Sequence, residues 1–109
     1  MKYVCIGDIH GRTVWKEIID NNPNSVFIFM GDYLDPYSED ITDLDAIENF
    51  KEIINFKINN PETILLIGNH DAQYLFYPKF EVNNGFSDKY MKVICKLFKE
   101  NKNLFQFAY

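Results

Sequence analysis

Three short polar segments carry the residue types that chemistry needs: Gly7-Asp8-Ile9-His10-Gly11, Gly31-Asp32-Tyr33-Leu34-Asp35-Pro36 and Gly68-Asn69-His70-Asp71. In the first, an Asp and a His separated by one residue can point to the same side of an extended segment. A carboxylate beside an imidazole suits Zn, Mn or Fe. The flanking glycines let the backbone turn sharply and come close to an ion or a phosphate. In the second, Asp32 and Asp35 can divide the work, one bridging two cations and the other holding a histidine by a hydrogen bond. In the third, the Asn69 amide oxygen can ligate a hard or borderline cation, and His70 beside it can act as a general acid. Each segment alone also reads as ordinary structure: a strand-end turn, an acidic turn closed by Pro36, or Asn69 capping a helix with His70 in its first turn. Jointly that reading weakens, because both histidines of the chain fall in these segments.

The elements around them must bring the segments together. Tyr3 to Ile6, Val26 to Met30 and Thr63 to Ile67 are apolar runs that predict strands, and each polar segment follows one of them directly. Between them, Thr13 is placed to cap a helix reaching about Asn21, with Val14, Trp15, Ile18 and Ile19 on one face. Thr42 followed by Asp45 is a capping pattern for a second helix with Leu44, Ile47, Phe50, Ile54 and Ile58 at helical spacing, stopped by Asn59-Asn60-Pro61. A loop with Pro78 and Asn83-Asn84-Gly85 precedes a last helix, capped by Ser87, with Tyr90, Ile94, Leu97 and Phe98 inward. The alternation predicts an α/β fold with parallel strands and crossover helices. In such sheets ligands bind outside the carboxyl ends of the strands, so three loops at one edge make one site.

Composition narrows the partners. A chain of 109 residues with net charge -5 is one domain at most, and a poor nonspecific nucleic-acid binder. Bound divalent cations would change that local balance, so nucleotide substrates stay open. Arg12, the sole arginine, is a candidate substrate contact but not a clamp. Cys5 and Cys95 both follow apolar residues and read as buried free thiols in a reducing cytoplasm. No apolar run reaches the length of a membrane span.

The motifs GDIHG at 7–11, GDYLD at 31–35 and GNHD at 68–71 together resemble those of the calcineurin-like metallophosphoesterases. Any one is weak; the three in this order are specific. The resemblance implies a β-sandwich flanked by helices, of which this chain would supply the first sheet half. It implies a site with two divalent ions (Mn, Fe or Zn), at which a metal-bound hydroxide attacks phosphorus in line. By position, Asp8 and His10 would bind the first metal, Asp32 would bridge both, and Asn69 would bind the second. His70 would donate a proton or stabilise the transition state, with Asp35 orienting it. Asn69, His70 and Arg12 would contact a phosphorylated substrate.

Two departures qualify the resemblance. Protein phosphatases of this group usually carry an arginine where this chain has Pro36, which argues against a phosphoprotein substrate. The family also takes further histidines from later in the chain, whereas none follows His70. Residues 1–109 are therefore expected to be the N-terminal part of a single domain, weakly active or inactive alone, prone to self-associate, with Leu104 to Tyr109 approaching another strand. The competing readings are a scaffold of the same fold that binds other proteins with little catalysis, and an α/β domain without a site. Neither accounts for the full set of Asp8, His10, Asp32, Asn69 and His70.

Overall fold

The computed structural model describes residues 2–75 and 89–107. Four strands form one sheet in the order β1-β2-β3-β4, all parallel: β1 (Lys2–Ile6), β2 (Ser25–Phe29), β3 (Ile64–Leu66) and β4 (Phe105–Gln106). Helix α1 (Trp15–Asp20) links the first pair and α2 (Asp43–Asn59) the second. After β3 come α3 (Asn69–Leu75), α4 (Met91–Glu100) and a 3₁₀ turn at Lys102–Leu104. The three expected strands lie where the apolar runs placed them, and the C-terminal run adds the fourth. The expected loop at Pro78 and Asn83-Asn84-Gly85, and the Ser87 cap, lie outside the described residues.

Strand alternation sorts the sheet into two faces. Ile6, Phe27, Phe29 and Leu65, with Val4 and Phe105 beside them, share one core with Trp15 of α1, Phe50 and Ile53 of α2, and Ile94 and Phe98 of α4. The packing is aromatic: the Phe50 ring lies 4.9 Å from Phe98 and 5.1 Å from Tyr33, and Trp15 lies 5.7 Å from Phe29. A strand order that steps in one direction, with right-handed crossovers, puts successive helices on the same face. Tyr3, Cys5, Val26, Ile28, Ile64 and Leu66 fall on the opposite face.

That sorting corrects the expectation for Cys5. It is exposed, because β1 is an edge strand and Cys5 points away from the helices, whereas Cys95 is buried and donates to the Tyr74 carbonyl at 3.0 Å. Thr13 does not cap α1 either. The N-cap position is Val14, with no side-chain bond, and the Thr13 carbonyl instead accepts the Lys16 N–H at 3.1 Å. In α2, Leu44 and Ile58 are exposed and the buried face runs through Ala46, Ile47, Phe50, Ile53 and Ile54.

The α2 cap is as expected. Thr42 Oγ1 accepts the Asp45 N–H at 3.0 Å, and Asp45 Oδ2 accepts the Thr42 N–H at 3.1 Å. Thr42→Ala should cost about 1 kcal/mol in urea unfolding while leaving cation binding unchanged. A cost near zero would show that the capping box contributes nothing measurable.

Candidate metal centre

The first loop leaves β1 at Gly7 and turns at His10 (φ 44°) and Gly11 (φ 79°). Its register is fixed from below. Asn49 of α2 accepts the Trp15 indole N–H at 2.8 Å and donates to the Arg12 carbonyl at 2.9 Å. The Arg12 side chain donates to the carbonyls of Ile9 and Asp8. Backbone bonds then tie this loop to the second, from His10 N–H to Asp32 O at 2.7 Å and from Gly11 N–H to Tyr33 O at 2.9 Å.

The second loop is held in left-handed backbone at Gly31 (φ 103°), Asp32 (φ 53°) and Asp35 (φ 59°). For non-glycine residues that conformation is uncommon and persists where surrounding contacts impose it. Here the contacts come from α3. Asp71, fully buried, accepts the N–H groups of Asp32 at 2.6 Å, Tyr33 at 3.0 Å and Gly68 at 2.9 Å. Its carboxyl is raised to about 8, first by burial and also by the neighbouring Asp32 charge, against the pull of the three N–H donors. In return, Asp32 Oδ1 accepts the His70 N–H at 2.9 Å.

This bracing brings Asp8, His10 and Asp32 together: one ligand atom from each lies within 4.8 Å of the others. His10 Nδ1–H donates to the Leu34 carbonyl at 2.8 Å. That bond fixes the tautomer and leaves the Nε2 lone pair for a ligand. Asn69 is exposed at the start of α3, next to the residue whose N–H holds Asp32. Two carboxylates and an imidazole with a free nitrogen form a donor set that fits a divalent cation.

A second cluster adjoins the first. His70 Nδ1–H donates to Asp35 Oδ2 at 3.0 Å, and the His70 and His10 rings meet edge-on at 5.0 Å. Asp35 is 1% exposed and also accepts from the Gln73 amide and the Tyr74 hydroxyl. Burial raises its carboxyl, and the Tyr74 and His70 bonds oppose that rise. The Tyr37 hydroxyl lies 2.7 Å from His70 Nε2.

The sequence pointed to Asp8, His10 and Asp32, which the structure gathers, to Asp35 and His70, which pair beside them, and to Asn69 and Arg12 in the flanking loops. It assigned no role to Asp71, Asn49, Gln73, Tyr74 or Tyr37. Asp71 stood inside a quoted motif, and a carboxylate in the first turn of a helix facing two glycine-containing loops was the available signal. Nothing in the sequence marked Asn49 or Gln73 as more than helix residues.

Fold and site therefore define an α/β domain with a carboxylate–imidazole cluster at the carboxyl edge of its sheet. The calcineurin-like phosphoesterase family matches residues 1–108, and the chain belongs to that family. Comparison with curated proteins and with solved structures finds no match. Membership points to metal-dependent phosphoester hydrolysis. No helix among the described residues is long and apolar enough to cross a membrane.

Proposed function

We infer that the chain contributes to phosphoester hydrolysis at a two-metal site of the cytoplasm. The observation that carries this reading is the convergence of Asp8, His10 and Asp32 within 4.8 Å, with His10 Nε2 left open. Asp8 and His10 would hold one divalent cation, Asp32 would stand between two, and Asn69 would hold the second; Mn, Fe or Zn fits the donors. Such cations, when bound, supply Lewis acidity toward the phosphoryl oxygens and an activated water. Asp35 fixes the orientation of the His70 ring. His70 then faces the substrate as a proton donor or as a partner for developing charge. Arg12 brings the one guanidinium of the chain to the rim, although its contacts to the Asp8 and Ile9 carbonyls already use part of it. The substrate is a phosphorylated small molecule or a phosphodiester rather than a phosphoprotein, in keeping with Pro36.

Cation binding provides a test that does not depend on turnover. Mn²⁺ at about 100 times its Kd should stabilise the chain by about 2.7 kcal/mol. Asp32→Asn should remove that gain, and His70→Asn should keep it while lowering hydrolysis of p-nitrophenyl phosphate or its bis-ester by roughly 10²-fold or more. Metal analysis and a thermal scan read the first effect, and a Mn²⁺-dependent assay reads the second. No thermal shift at millimolar Mn²⁺ would remove the basis of the proposal. If His70→Asn lost the metal while Asp32→Asn kept it, the two roles would be reversed.

A further inference from the structure

Tyr37 is the residue of this region whose position the foregoing roles leave unexplained. Tyr37 is 64% exposed. A large aromatic side chain left that exposed gains little from burial, yet both ends of this one are engaged. The ring lies 4.7 Å from the His10 imidazole, and the hydroxyl meets His70 Nε2 at 2.7 Å. Because His70 Nδ1–H is committed to Asp35, Nε2 of the neutral imidazole is the acceptor and the phenol O–H donates. The donor thus hangs over the gap between the two histidines, whose rings are 5.0 Å apart. A pocket of about 200 Å³ lies on the His10 side of the phenol, lined by His10, Arg12, Tyr37, Ser38 and Ile41.

His70 is only 7% exposed, so an incoming molecule meets the phenol before the imidazole. A phosphoryl oxygen carries more negative charge than an imidazole nitrogen and is the stronger acceptor. We propose that Tyr37 is a substrate-contacting residue, whose hydroxyl leaves His70 Nε2 and donates to a phosphoryl oxygen of the bound ester. This rests on the phosphoesterase reading above. The exchange adds a neutral donor to the phosphoryl group, in a loop where position 36 holds a proline. The pocket beside Tyr37 then receives the ester substituent, with the Ile41 side chain against it.

Inorganic phosphate is the probe, titrated calorimetrically into the Mn²⁺-loaded chain and its Tyr37→Phe variant. The variant keeps the ring and loses only the donor, and at an exposed position it should match the parent in melting temperature and Mn²⁺ content. Phosphate should bind the variant roughly tenfold more weakly, as expected for loss of one hydrogen bond to a charged acceptor. In the metal-free protein, the His70 Nε2 resonance should shift in the same variant, which reads the contact directly. Equal phosphate affinity in the two proteins overturns the proposal. Tighter binding in the variant overturns it too, because it makes Tyr37 an obstacle rather than a ligand. An unmoved Nε2 resonance would remove the contact on which the proposal stands. A parent chain that takes up no Mn²⁺ defeats the phosphoesterase reading, and the proposal with it; Mn²⁺ uptake with unchanged phosphate affinity in the variant defeats the Tyr37 proposal alone.

Discussion

Asp71→Ala is expected to destabilise the chain by about 3–5 kcal/mol and to abolish cation binding. The carboxylate accepts three backbone N–H groups, and those of Asp32 and Tyr33 are buried with no water to turn to. Each buried donor left unpaired costs about 1–3 kcal/mol. Two of the donors belong to Asp32 and Tyr33, so the loss falls on the segment held at positive φ. Released from Asp71, that segment will relax toward ordinary backbone and carry the Asp32 carboxylate away from Asp8 and His10. Asp71→Asn should fall between parent and alanine, since its amide keeps one acceptor but turns an N–H against a donor. Urea unfolding and Mn²⁺ titration of both variants measure this. An alanine variant within about 1 kcal/mol of the parent would mean that the three N–H groups find other partners.

Gly68→Ala is expected to damage the site by collision. A methyl group at position 68 would sit 2.6 Å from Asp32 Cγ and 2.8 Å from Asp32 N, far inside contact distance. The neighbours are a backbone atom and a carboxylate already fixed by the His70 N–H, so neither can move aside cheaply. The third loop must retreat from the second by a large fraction of an ångström. Misplacement on that scale costs about 10²-fold in rate, and Mn²⁺ affinity should fall with it. Gly7→Ala is the matched control: a methyl group there meets nothing within 4 Å, and the variant should stay within about 0.5 kcal/mol of the parent. Equal behaviour of the two variants would show that the loops do not pack as closely as the structure has them.

The strands and the gathering of Asp8, His10 and Asp32 were legible because both depend on local signals. Apolar runs such as Val26 to Met30 end in a glycine and a carboxylate, and parallel pairing does the rest. The Thr42–Asp45 cap was legible for the same reason, since both partners lie within one helical turn. What failed was the set of properties that depend on neighbours far away in sequence. Cys5 looked buried because its run is apolar, and its exposure follows only from β1 being an edge with helices on one face. The role of Asp71 depends on donors at positions 32 and 33, almost forty residues back. The left-handed backbone of Asp32 goes with those contacts and that of Asp35 with the bonds its carboxylate accepts from Gln73 and Tyr74, and neither residue type announces it.

The bonds that lock the three loops also set an order of events for a folding chain. His10 is tied to Asp32 and Asp32 to Asp71, so the whole cluster does not exist within one contiguous stretch. The pairing of β1 with β2 can bring Asp8 and His10 beside Asp32, but the left-handed turn has no brace until β3 docks and α3 delivers Asp71. Non-local contacts of this kind form late, after the entropy of closing the intervening chain has been met. Cation affinity is thus a readout of the closed sheet. An unfolded or half-assembled chain offers scattered carboxylates with no shared geometry, so metal should reward only those molecules that have finished the third strand.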